Sequence, residues 1–135
     1  MAIDLALLLH FDKLGTLGQI EQLALLPRDW NGYGADSIDP KVIEAASRFI
    51  ESFPLDATTS PQVVPMTRGR LQFEWHRGNR SLELEFETST LIHYLKYDPD
   101  RAIEEEATLP VDETERLLEL LCWSNLADLV ETLHD

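Results

Sequence analysis

Glu74, His76, Glu83, Glu85 and His93 fall in one stretch of the chain whose polar and apolar residues alternate. A carboxylate within reach of an imidazole can exchange a proton with it or share a divalent cation, and two carboxylates forced together raise one another's proton affinity. Alternation puts such residues on one side of a sheet. Glu74, His76, Glu85 and His93 therefore define a candidate acid–base or metal site, with Glu74 directly opposed to Glu83 across a hairpin. The favoured expectation is plainer. Charged residues on the exposed side of a half-buried sheet are ordinary, and neighbouring arginines relieve their repulsion. The chain has neither an HExxH motif nor a close pair of histidines to mark a metal site. No cofactor and no metal are expected, and no serine or cysteine stands in a nucleophile motif.

A second candidate is the loop Asp29-Trp30-Asn31-Gly32-Tyr33-Gly34-Ala35. As a ligand loop it would expose the backbone N–H groups of Gly32 and Gly34, with Trp30 and Tyr33 as stacking surfaces. The preferred reading is structural: the glycines permit positive φ and Trp30 plugs the core between sheet and helix. The loop lacks the strand–Gly–Lys–Ser/Thr context of a phosphate loop. Asp29, Asn31 and Asp36 miss the EF-hand spacing, and no glutamate follows at its twelfth position.

The third candidate is charge. The formal net charge is −14, which disfavours nucleic acid and anionic membranes as direct partners. From Asp98 to Asp135 twelve acids face only Arg101 and Arg116, so most of the excess lies in the last third. Glu104, Glu105, Glu106, Asp112 and Glu113, together with Trp30 and Tyr33, are the expected contacts to a partner protein with a basic surface. In a special case the acids would mimic the phosphates of a nucleic acid. Arg68, Arg70, Arg77 and Arg80 gather at strand ends, where they would clamp an anion or, preferably, neutralise Glu87 and the acidic tail.

The elements that position these residues follow from periodicity. Residues 3–26 carry Ile3, Leu7, Phe11, Leu14, Leu17, Ile20, Leu23 and Leu26 at helical spacing, with Gly15 and Gly18 weakening the middle, so one bent helix or two short ones are expected. Asp39-Pro40 starts a helix whose apolar side is Val42, Ile43, Ala46, Phe49 and Ile50, and Pro54 ends it. Residues 55–61 form a polar linker.

From Gln62 the period is two. A turn at Gly78-Asn79 pairs Trp75 with Leu82, Phe73 with Leu84 and Leu71 with Phe86, and a slip by one residue would put charge into the core at every pair. A turn at Arg68-Gly69 pairs Met66 with Leu71 and Val64 with Phe73, leaving Pro65 on the solvent side of an edge strand. A three-residue connection Thr88-Ser89-Thr90 aligns Ile92 with Phe86, Tyr94 with Leu84 and His93 with Glu85; a two-residue connection would instead bury Leu91, His93 and Leu95, and the first is preferred because it buries no histidine. Asp98-Pro99-Asp100 is a turn, and 104–109 is a short edge strand or an irregular segment. Pro110 and Asp112 open a last helix with Leu118, Cys122, Leu126, Leu129 and Leu133 on one apolar stripe, Cys122 as an inert core thiol and Ser124-Asn125 as a candidate break.

These elements predict one α+β domain over 1–135, an antiparallel β-meander of three to five strands (62–66, 70–77, 80–87, 91–97 and conditionally 104–109) packed against N-terminal, central and C-terminal helices. Leu8, Leu9, Leu25, Leu120 and Leu133 make the terminal helices richer in leucine than one sheet needs, which allows a homodimer or a partner surface. The apolar stretch Leu5–Leu9 is too short to span a bilayer, the N-terminus carries Asp4 and no early Lys or Arg, and one cysteine makes no internal disulfide. A cytosolic location is the default expectation.

Trp30-x-Gly32-Tyr33-Gly34-Ala35, a following helix, and Pro65 ahead of Leu71-x-Phe73-Glu74-Trp75 and Leu82-Glu83-Leu84-Glu85 together resemble a group of small uncharacterised bacterial proteins, over roughly residues 27–97. The resemblance implies a bacterial origin and accessory roles in mobile-element or defence operons, and it imports no catalytic residue. The leading expectation is a small cytosolic regulatory or inhibitory protein of the antitoxin, immunity or defence-accessory kind, not an enzyme. The alternatives are an enzyme using the Glu/His face and a homo-oligomeric scaffold.

Overall fold

The structure, a computed structural model, describes residues 11–52 and 59–125. Ile3 and Leu7 of the first expected stripe, the leucines at 8 and 9, and Leu126, Leu129 and Leu133 of the last lie outside the described residues.

Five strands, β1 (Gln62–Met66), β2 (Arg70–Arg77), β3 (Arg80–Phe86), β4 (Leu91–Asp98) and β5 (Ile103–Pro110), form one antiparallel sheet in chain order. This is the expected meander, with residues 104–109 inside a full fifth strand. The central registers are those the apolar pairs demand: Trp75 opposes Leu82, Phe73 opposes Leu84, and Leu71 opposes Phe86. Across the next hairpin Ile92 opposes Phe86, Tyr94 opposes Leu84 and His93 opposes Glu85. All eight apolar members of these pairs are buried on one side.

Three helices cover that side. They are α1 (Lys13–Ala24), α2 (Pro40–Ser52) and α3 (Thr114–Asn125). Helix α1 packs on α2 and reaches β1, α2 lies on β2, and α3 lies on β2 and β3. Ile20, Val42, Ala46, Phe49, Ile50, Leu117, Leu120 and Leu121 complete a single buried cluster with the strand residues. Between β4 and β5 the chain turns through a short 3-10 segment, Pro99–Arg101, capped by Asp98, whose side chain accepts from the Asp100 N–H at 3.1 Å.

Three local expectations are corrected. The turn between β1 and β2 has three residues, not two, so Met66 opposes Arg70, Pro65 opposes Leu71 and Val63 opposes Phe73. Arg68 (φ 63) and Gly69 (φ 73) both take left-handed conformations there. The Gly69 carbonyl accepts from Asp39 N at 3.0 Å, which pins the turn to the segment ahead of α2 and slides β1 by one residue. Val63 and Pro65 thus face the helices, and Val64 and Met66 turn outward; Pro65 is still confined to an edge, where its missing N–H costs least.

Helix α1 begins at Lys13 because Asp12 caps it, its side chain accepting from Gly15 N at 2.9 Å. A Cβ at residue 15 would collide with that carboxylate, so Gly15 completes the start of a helix where a weak middle was expected. Leu14 then sits roughly 120° around the helix from Ile20 and is 81% exposed, off the expected stripe.

In α3 the buried stripe is Leu117, Leu120, Leu121, Ser124 and Asn125. Cys122 is exposed, not a core thiol, and Leu118 is only half-buried. The helix is rotated by the burial of two polar residues whose hydrogen bonds are met. Asn125 Oδ1 accepts from Thr59 N and Oγ1, both at 3.0 Å, and its Nδ2 donates to the Leu121 carbonyl at 3.0 Å. Ser124 and Asn125, the candidate break, are the last described residues of the helix, so the break itself lies outside the described residues.

Candidate functional site: the open face of the sheet

Because strand residues alternate sides, the registers fix what lies on the face turned away from the helices. Gln72, Glu74 and His76 come from β2, Ser81, Glu83 and Glu85 from β3, Leu91, His93, Leu95 and Tyr97 from β4, and Glu104, Glu106 and Thr108 from β5. The four residues of the expected acid–base site share this face, but the structure divides them. His76 Nε2 lies 3.3 Å from Glu74 Oε2, and Glu74 Oε1 accepts from Gln72 Nε2 at 2.7 Å. Glu85 is taken by Arg70 Nη1 at 3.2 Å. His93 turns to β5, with Nε2 at 3.3 Å from Glu106 Oε2 and Nδ1 at 3.1 Å from Thr108 Oγ1, while Glu87 lies 3.6 Å from Nδ1. The site is therefore two separate carboxylate–histidine pairs and one arginine–carboxylate pair. Among the described residues no group of three or more His, Cys, Asp or Glu is arranged to hold a metal ion.

Glu83 occupies the middle of the face, opposite Glu74 on β2 and Leu95 on β4. It lines an open concavity with Met66, Gln72, Glu85, His93, Leu95 and Glu106. Burial first, then the charge of Glu74, raises its pKa above the ordinary glutamate value, against an opposing effect of His76 and with a lesser contribution from Glu85. The folded protein binds this proton more tightly than the unfolded chain does. Wild-type stability is consequently lost as pH rises from the ordinary value through the raised one. Glu83→Gln is expected to stabilise the protein at pH 7 by about 0.5 kcal/mol, with the gain vanishing toward about pH 4. Thermal melts of both proteins across that range check this; a variant less stable at pH 7, or a gap independent of pH, would contradict it.

The acids expected to meet a partner are not equivalent. Glu104 and Glu106 stand on the open face, opposite Tyr97 and Leu95. Glu105 points to the helix side, where it accepts from the Tyr94 hydroxyl at 2.8 Å and pairs with Arg116. The Tyr94 hydrogen bond, opposed by partial burial and reinforced by Arg116 and Lys96, holds its pKa below the usual range. Glu105 is thus engaged within the fold, although its side chain stays 46% exposed. Asp112 and Glu113 are exposed in the turn ahead of α3, away from the sheet face.

The Trp30 loop closes on itself. Asp29 N donates to the Ala35 carbonyl at 2.7 Å, Gly32 N to the Asp29 carbonyl at 3.1 Å, and Gly34 N to Asp29 Oδ1 at 2.6 Å. Asn31 Oδ1 accepts from Tyr33 N and Ala35 N. The Gly32 and Gly34 N–H groups that a ligand loop would expose are used within the loop itself. Asp29, Gly32 and Gly34 take the positive φ that was expected of the glycines alone. Trp30 is not the core plug: it is half-buried at the loop, its Nε1 donating to the Asp36 carbonyl at 2.9 Å. Tyr33 is left 92% exposed.

Arg70, Arg77 and Arg80 serve the fold, as preferred; Arg80 takes Asp98, the first acid of the tail, while the other two find partners that were not expected. Arg70 meets Glu85, Arg77 Nη1 donates to the Asn125 carbonyl at 2.7 Å, and Arg80 reaches Asp98 at 3.4 Å and the Trp123 carbonyl at 3.0 Å. The sequence reading grouped Leu91 and Leu95 only as the buried side of the register it set aside, and did not read them with Tyr97 as an open apolar row along β4 between the acids of β3 and β5. The same alternation, carried one strand further, would have found it. Compared with known proteins, the chain matches no family model, no curated protein and no solved structure.

Proposed function

We propose that this protein binds a basic partner protein through the open face of its sheet, acting as a regulatory or inhibitory component of the antitoxin, immunity or defence-accessory type in the cytosol. The observation that carries the reading is the asymmetry of the sheet. One side carries three described helices over β1 to β3, and the other presents Glu74, Glu83, Glu85, Glu104 and Glu106 around the apolar row of β4. Tyr97 and Leu91, 40% and 38% exposed, supply apolar area, and the carboxylates supply the long-range field that selects a positive surface. A chain of net charge −14 strengthens that field over the whole molecule. Among the described residues no helix is long and apolar enough to cross a membrane. The two carboxylate–histidine pairs stand apart, and that separation favours binding over shared acid–base chemistry.

The test uses matched baits in extract of the source cells at low salt. One bait is wild type, the second carries Glu74→Gln, Glu83→Gln and Glu85→Gln, and the third carries the same charge change on the helices, at Glu21, Glu51 and Glu115. A partner held by the wild type and the helix variant, released by salt, and bound at least about tenfold more weakly by the face variant supports the reading. Equal recovery by the second and third baits, or no recovery by any, would overturn it.

A further inference from the structure

The two edges of the sheet are not alike. Strand β1 is five residues long and carries Pro65, which removes a donor from its outer rim and blocks a neighbour. Strand β5 is eight residues long, and its only proline is its last residue. Its register against β4 runs without a bulge from Leu91 opposite Pro110 to Asp98 opposite Ile103. Glu104 through Thr108 are all exposed. An antiparallel ladder uses the main-chain groups of alternate residues only, so the outer N–H and C=O groups of this strand point away from β4, with no further strand paired to them among the described residues.

We propose that β5 accepts an extended segment of the basic partner as a sixth strand, a segment with Lys or Arg at alternate positions. This rests on the proposed binding function and specifies how the partner is held. Main-chain hydrogen bonds to the edge would provide affinity, and side chains on one face would provide selection. The charges of β5 decide which segment fits. Glu104 and Glu106 project on the open face two residues apart, the repeat of a strand, and they would meet lysines spaced in the same way. On the helix side Glu105 is already hydrogen-bonded by Tyr94 and paired with Arg116, and Ala107 follows it with a small side chain, so apolar residues are favoured there. A second copy of this chain is the poorer occupant. It would bring a second set of Glu104, Glu105 and Glu106 to the same edge, on a molecule that also carries −14.

The probes are two synthetic peptides of equal composition, one alternating lysine with valine and one with its lysines and valines in separate blocks. A third has the alternating order with N-methyl groups on every second residue. Binding is followed by anisotropy, and hydrogen exchange of the amides of 103–109 by NMR. The alternating peptide is expected to bind at least about tenfold more tightly than the block and N-methylated peptides and to slow exchange in β5 but not in β1. Equal binding of all three without protection in β5 overturns the inserted strand and leaves the acidic face as the contact. Failure of every peptide, while the face-neutralised bait still loses a partner that the helix variant keeps, overturns the strand alone; failure of both experiments overturns the binding function with it.

Discussion

Phe73→Ala is expected to lower the folding free energy by about 3–5 kcal/mol, and the melting temperature by about 10 °C or more. Phe73 is fully buried at the centre of β2, between Val63 on β1 and Leu84 on β3. Its ring stacks on Phe49 of α2 at 5.9 Å and meets Trp75 and Phe86 edge-on at 6.2 and 5.6 Å. Alanine would strip all three aromatic contacts at once and leave a cavity between the sheet and α2. That site cannot readily collapse, because its walls belong to paired strands and a helix already packed on them. Phe73→Leu, which keeps most of the volume, should retain more than half of the lost stability. Denaturant titration of the three proteins decides. A loss below about 1 kcal/mol for the alanine variant would mean that this aromatic layer does not hold the sheet to its helices. The open face would then lose its rigid backing.

The same layer explains what could be read in the chain beforehand. Trp75, Phe73, Leu71, Leu82, Leu84 and Phe86 report their own register, because any slip exchanges buried apolar residues for Glu74, Glu83 and Glu85. Elsewhere the deciding contacts were distant in sequence. The turn before β2 gained a residue because the Gly69 carbonyl is held by Asp39, far back in the chain, and alternation alone cannot count turn residues. Hydrophobicity placed Cys122 inside α3 and Asn125 at a break. The structure buries Asn125, because Thr59 supplies the donors that a buried amide oxygen requires. The polar face was legible as a face, yet not in its pairing. His93 chooses Glu106 and Thr108 only once β5 exists beside β4. Likewise the run Glu104-Glu105-Glu106 reads as one acidic patch until strand geometry sends its middle member to Arg116.

Arg80→Ala is expected to cost the protein more than about 5 °C in melting temperature at pH 7, and progressively less as pH falls into the carboxylate range. Arg80 is almost wholly buried, its side chain 4% exposed, and so is its partner Asp98 at 2%. The guanidinium fastens β3 to two other elements, to Asp98 at the end of β4 and, in the last described turn of α3, to the Trp123 carbonyl and the Trp123 ring 4.9 Å away. For Asp98, burial is the largest single influence and acts to raise the pKa. The Arg101 hydrogen bond and charge, followed by those of Arg80, outweigh burial and hold the pKa below the ordinary aspartate value. A depressed folded-state value contributes stability that is complete above the unfolded-state value and lost as pH falls through the folded one. Without Arg80 only Arg101, itself nearly half exposed, remains of this pair of cations, so the depression shrinks and the penalty is greatest where Asp98 must stay charged. Melts of both proteins between about pH 3 and pH 7 should show two curves that converge at low pH. Curves that stay parallel would assign the loss to packing against Trp123 alone, and coincident curves at pH 7 would remove Arg80 from the set of residues that join the hairpin to the last helix.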